Sequence, residues 1–155
     1  MARDVAMKRR AFLAAGAAAI VARPLAADAQ EVHDIRPIVD AITGGAAAEE
    51  GGIEIGLPAL AENGNSIPFT VKVASPMNET DHVAAIHVIA ERNPRPVVAV
   101  FHLGPWSGRA EIATRIRLAG TQKVTVVAAL TGNRFRIARK EVHVTAGACL
   151  DEGSL

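Results

Sequence analysis

The amino-acid sequence predicts an all-β fold, an immunoglobulin-like antiparallel β-sandwich of about seven strands, with a short N-terminal helix after a cleaved signal. Three observations carry that expectation. Beyond Gly52, seven apolar runs of strand length recur, each closed by turn-forming residues. In one of them Ile67, Phe69, Val71 and Val73 alternate with Pro68, Thr70 and Lys72, the period-two pattern of a strand with one buried face. Aromatic residues are scarce, with four Phe, one Trp and no Tyr, so Val, Ile, Leu and Ala must build the core.

In chain order, residues 1–29 read as an export signal. Lys8-Arg9-Arg10-Ala11-Phe12-Leu13 places a twin arginine before Phe-Leu, and the apolar run 11–22 is too short and too alanine-rich to span a bilayer. Ala27-Asp28-Ala29 supplies a small-x-small cleavage site and a mature start at Gln30. The Arg-Arg-x-Phe-Leu core resembles a twin-arginine (Tat) leader, which implies a periplasmic protein, with no membrane association once the leader is removed.

Residues 30–52 read as a short helix and a small acidic linker. Val32, Ile35, Ile38, Val39 and Ile42 form an apolar stripe at helical spacing, and Thr43-Gly44-Gly45 ends it. The sandwich then occupies 53–145, with strands expected at 53–57, 67–74, 82–91, 97–103, 110–118, 123–131 and 134–145. Turns fall at Asn63-Gly64-Asn65, Ser75-Pro76, Asn93-Pro94-Arg95-Pro96, Gly104-Pro105-Trp106-Ser107-Gly108 and Gly132-Asn133. The last strand has a parity fault, since Phe135 and Ile137 count to one face and Val142 and Val144 to the other. A bulge at Arg139-Lys140-Glu141 would repair it. Residues 146–155 read as a flexible arm bearing Cys149.

Charge and motif narrow the function classes. The formal charge is +1, but removing the leader takes away Arg3, Lys8, Arg9, Arg10 and Arg23 against Asp4 and Asp28, leaving a small net negative charge. That balance gives no field for a polyanion, so nucleic acid is not an expected partner. His82, His87 and His102 show no metal-ligand spacing, and Cys149 has no His or Met after it as a blue-copper loop requires; neither metal nor cofactor is expected. Ser107 lacks the first glycine of a nucleophile elbow. A Cys149–His143 pair would need packing to lock it, and the small residues around Cys149 offer none. No catalytic residue is expected, and Trp106 reads as a turn residue covering the sandwich edge.

Cys149 is the only cysteine, and an exported protein seldom keeps an odd thiol unless it pairs between chains or reacts. From Thr145 an extended chain reaches roughly 13 Å to Cys149, at ~3.3 Å per residue. Ala146, Gly147 and Ala148 add little bulk on the way, as a carrier arm ending in a nucleophile requires.

Several stretches together resemble the SoxY family, the sulfur-carrier subunit of the thiosulfate-oxidising system. They are Ala61-Glu62-Asn63-Gly64-Asn65-Ser66-Ile67-Pro68, Asn93-Pro94, Gly104-Pro105-Trp106-Ser107-Gly108, Thr114-Arg115-Ile116-Arg117-Leu118-Ala119 and Thr121-Gln122. The resemblance covers roughly residues 32–149. It implies a periplasmic carrier, not itself an enzyme, paired as a heterodimer with a SoxZ-like β-sandwich subunit. It also implies Cys149 as the covalent attachment point for sulfur. A thiosulfate-conjugating c-type cytochrome, a sulfate-releasing hydrolase and a sulfane dehydrogenase would act on what it carries.

The tail departs from the family pattern, which places glycines after the cysteine. Leu150 adds bulk there, and Asp151 and Glu152 set negative charge beside the sulfur, disfavouring the thiolate. A second reading follows, a noncatalytic module that docks a SoxZ-like partner without shuttling sulfur.

Overall fold

The computed structural model describes residues 31–148; the expected leader, residues 1–29, and Cys149 with the residues after it lie outside that span. In chain order the elements are α1 (Arg36–Thr43), β1 (Ala48–Glu50), β2 (Ile53–Gly56), β3 (Leu60–Asn63), β4 (Ile67–Val73), β5 (Val83–Ala90), β6 (Val97–His102), β7 (Glu111–Ile116), β8 (Gln122–Leu130) and β9 (Arg134–Ala146). A 3-10 turn, Pro105–Ser107, joins β6 to β7. The seven expected strands are all present within a residue or two of their predicted ends. The large sheet has the order β1-β9-β8-β5-β6, with β3 also on β9, and the small sheet has the order β2-β4-β7.

Two short strands escape the sequence reading. β1 lies in the stretch read as a linker, and β3 in the stretch before the Asn63 turn. Both pair parallel to β9, β1 against Phe135–Ile137 and β3 against His143–Ala146. Each is short and rich in polar residues, so neither shows a period of its own. β9 forms them by offering an unpaired edge.

The sandwich core lies between the sheets. Ile67, Phe69, Val71 and Val73 of β4 are buried and the residues between them exposed, as the alternation predicts. They pack with Ile86 and Val88 of β5 and Val124 and Val126 of β8. Each fully buried Val or Ile there contributes about 1.5–3 kcal/mol relative to exposure. Pro68 is tolerated because β2 pairs only with Thr70–Val73, so no neighbour on that side needs its missing N–H.

The helix covers the opposite face of the large sheet. Ile35, Ile38, Val39 and Ile42 pack on Ile89, Val127 and Ile137. Pro37 sits in the first turn, where a lost N–H matters least, and Gly44 ends the helix in a left-handed conformation with φ 63°. Val32, counted into the stripe from sequence, precedes the helix and is 53% exposed.

The same helix removes the parity fault. β8 and β9 pair without interruption from Leu130–Arg134 to Gln122–Val142, so the bulge expected at Arg139–Glu141 is absent. β9 is covered on both faces instead. Ile137 lies under α1, while Val142 and Val144 enter the core between the sheets. Arg136 and Lys140, on the core-side parity, reach across to the carbonyls of Ala74 (2.8 Å) and Ile55 (3.1 Å).

Candidate functional site

The residues that lead to Cys149 leave β9 at one end of the sandwich, and a relay of backbone hydrogen bonds holds them there. Gly64 N–H donates to the Ala146 carbonyl (2.7 Å), Leu118 N–H donates to the Gly64 carbonyl (2.9 Å), and Ala148 N–H donates to the Leu118 carbonyl (3.0 Å). Ala146 belongs to the large sheet, whereas Leu118 follows β7 at the edge of the small one. Residues 146–148 therefore cross the end of the sandwich toward the β7 side.

The small residues along this path are sterically required. A Cβ on Gly64 would run into the Leu118 carbonyl oxygen and stand 2.7 Å from the Ala148 nitrogen. One on Gly147 would run into the Ala119 carbonyl oxygen. Ala148 is 3% exposed, which leaves no room for a longer side chain without rearrangement.

Two buried amides fix the surface against which this segment lies. Asn93, 4% exposed, donates through Nδ2 to the Arg117 carbonyl (2.9 Å). Its Oδ1 accepts from Ala119 N–H (2.9 Å) and from Gln122 Nε2 (3.0 Å). Gln122, equally buried, donates to the Gly120 carbonyl (3.2 Å) and accepts from Arg92 N–H (2.8 Å). Thr121 Oγ1 accepts from Val144 N–H (2.9 Å), and Thr145 Oγ1 donates to the Glu62 carbonyl (3.0 Å). Buried polar groups are affordable when satisfied in this way, and they lock the 117–122 loop.

The flexible arm expected to start at Ala146 is thus corrected. Ala146, Gly147 and Ala148 are anchored, and β9 itself extends to Ala146. The expected reach of the arm, counted from Thr145, overlooked these bonds. Cys149 and Leu150 themselves lie outside the described residues.

The other sequence candidates take no part in this relay. His143 is exposed on β9, and its N–H donates to the Ala59 carbonyl (3.0 Å). His82 Nδ1 lies 3.0 Å from the Asn78 carbonyl. His87, on β5, titrates below its ordinary value, first because burial penalises its charged form and then because His102 lies near. Among the described residues no group of three or more His, Cys, Asp or Glu could hold a metal ion. Ser107 Oγ accepts from Gly104 N–H (3.2 Å) in its turn, and Trp106 is 86% exposed, covering no edge.

Sequence reasoning quoted Gly64, Asn93, Leu118 and Gln122 as turn or motif residues without bringing them together. Chemistry-bearing side chains in short turns, beside glycines with no periodic role, are the signal that could have joined them.

A family model for the sulfur oxidation protein SoxY matches residues 39–149. The chain is similar to the solved sulfur carrier protein SoxY from Chlorobium limicola f thiosulfatophilum, at 30% identity over 70% of this chain and 89% of that one, with a TM-score of 0.59. Superoxide reductase (neelaredoxin) from Ignicoccus hospitalis is similar in fold alone, at 15% identity over 61% and 80% of the two chains and a TM-score of 0.55. The same holds for superoxide reductase from Nanoarchaeum equitans, at 12% identity over 62% and 100%, with a TM-score of 0.53. No curated protein matches the chain.

Proposed function

The chain belongs to the SoxY family, and from that premise we propose that it is a periplasmic sulfur carrier that holds intermediates of sulfur-compound oxidation covalently on Cys149. The single observation that carries this reading is where the family match ends. It runs to residue 149, taking in the one cysteine of the chain as its last residue. The anchored segment just before it supports the reading, because a thiol that must meet several enzymes benefits from a fixed point of departure.

In this proposal the Cys149 thiolate is the nucleophile, and the protein supplies presentation while separate enzymes do the chemistry. Conjugation of thiosulfate forms an S–S bond between Cys149 and the outer sulfur, with the thiol proton released and two electrons passing to an oxidant. A c-type cytochrome would take those electrons, a hydrolase would release sulfate, and a sulfane dehydrogenase would oxidise what remains. A SoxZ-like subunit would complete a heterodimer. Export through the twin-arginine leader at Arg9 and Arg10 would deliver the pair already folded.

Intact mass spectrometry tests the carrier role. Purified protein treated with thiosulfate and ferricyanide should gain a sulfur adduct that the Cys149→Ser variant, equally folded, does not. An accessible thiol that stays unmodified would sink the reading. The absence of glycine at positions 150 and 151 favours a second one. If Leu150, Asp151 and Glu152 block transfer, the wild type should bind a SoxZ-like partner yet take up no sulfur, and glycine at positions 150 and 151 should restore uptake.

A further inference from the structure

Two histidines that no motif joins in sequence meet on the outer face of the large sheet. β5 sends Ile86 and Val88 into the core between the sheets, so His87 between them points to the other face, beside Ile89 under α1. On β6, Phe101 packs against the same core, which turns His102 outward. The two strands pair antiparallel, with Ala85 opposite His102 and His87 opposite Val100. The register shift of this pair lies beyond them, between Val88 and Ile89. His87 and His102 are therefore diagonal neighbours on one face, at the ~7–8 Å spacing that ring side chains can bridge. Charge on His102 reaches His87, which places the two rings close together.

Their surroundings leave both rings free to act as ligands. The residues opposite them on the paired strand are Ala85 and Val100, and the adjoining positions on β8 are Ala129 and Val127. None of these side chains carries a donor, an acceptor or a charge. His82 Nδ1 is engaged at the Asn78 carbonyl, whereas neither the His87 nor the His102 ring hydrogen-bonds to another described residue. The helix packs over Ile89, Val127 and Ile137, leaving His87 half-buried and His102 exposed.

From this juxtaposition we infer that His87 and His102 form a two-histidine site for a late first-row divalent ion, Cu(II), Ni(II) or Zn(II), with water in the remaining positions. Imidazole nitrogen suits these ions, and Cu(II) should bind tightest. The pair falls short of the closed sets of three or four protein ligands, which are absent among the described residues, so the ion would exchange with solvent and keep open positions. It would also staple β6, an edge strand paired with β5 alone, to the rest of the large sheet. Cys149 takes no part, and the site stands whether or not the carrier reading does.

Metal titration of tag-free protein in a Cys149→Ser background, which removes the competing thiol, tests the site. Substoichiometric Cu(II) should broaden first the backbone amide signals of β5 and β6 around His87 and His102. By calorimetry, Ni(II) and Zn(II) should bind at one site per chain. His87→Gln and His102→Gln should each weaken binding by on the order of tenfold or more, because each removes a second ligand held at high effective concentration. His82→Gln and His143→Gln should leave it unchanged. His102 is exposed, so its variant reports on the site even if His87→Gln disturbs the fold. Bound Zn(II) should also slow hydrogen exchange of the β6 amides, and His102→Gln should abolish that protection. An affinity that His102→Gln leaves intact, an equal loss in His82→Gln, or broadening centred on another histidine would overturn the site.

Discussion

The two ends of the sandwich are built from similar materials, glycines and short polar turns, and use them in opposite ways. At the end where β9 finishes, Asn93 and Gln122 are buried, a Cβ on Gly64 or Gly147 would meet a backbone atom, and main-chain bonds tie 146–148 to both sheets. At the other end, the turn after β6 closes on itself. Ser107 accepts from Gly104, and a Cβ on Gly104 would strike the Trp106 ring, so that glycine serves its own loop. Trp106 is left 86% exposed. One end binds a segment from elsewhere in the chain, and the other presents a side chain. The contrast shows why glycine-rich motifs alone do not reveal function: what a Cβ would strike separates a long-range anchor from a local turn.

Three substitutions would break or sharpen this contrast. Asn93→Ala should have the largest effect, because it strips the Ala119 N–H, the Arg117 carbonyl and the Gln122 amide of one partner each. A loss of about 3 kcal/mol is expected, read as a lowered urea midpoint with an unchanged slope. Gly147→Ala should follow, at about 1–3 kcal/mol, because the added methyl meets the Ala119 carbonyl. If the segment yields instead of the domain, the Ala148 amide will lose its hydrogen-exchange protection while the midpoint holds. Trp106→Ala should change stability by no more than about 0.5 kcal/mol, since the ring buries little. A thermal or urea shift as large as that of Asn93→Ala would erase the distinction between the ends.

Much of the architecture was legible because local pattern decides it. The alternation in β4 and the Thr43-Gly44-Gly45 stop are read from neighbours in sequence, and both stand in the structure. What escaped depends on distant partners. β1 and β3 have no period of their own and exist because β9 offers an edge. The parity of β9 misled because counting assumed one covered face, whereas α1 covers the second. The site divides the same way. Cys149 is visible as the only thiol, and Gly147 and Ala148 as its small approach, yet their anchoring depends on Gly64, Asn93 and Leu118, which meet only after folding.

β9 has a mechanical consequence. Of its 13 residues, Arg134–Val142 pair with β8 on one side, while Phe135–Ile137 pair with β1 and His143–Ala146 with β3, with ladder bonds running across the strand. A pull applied through the C-terminus is directed along the strand and loads those bonds together in shear, rather than opening them one after another as a zipper would. The relay through Gly64 and Leu118 should yield first, as a short fuse of three hydrogen bonds. A partner tugging on Cys149 could then draw out a few residues of slack while the sandwich behind them stays intact.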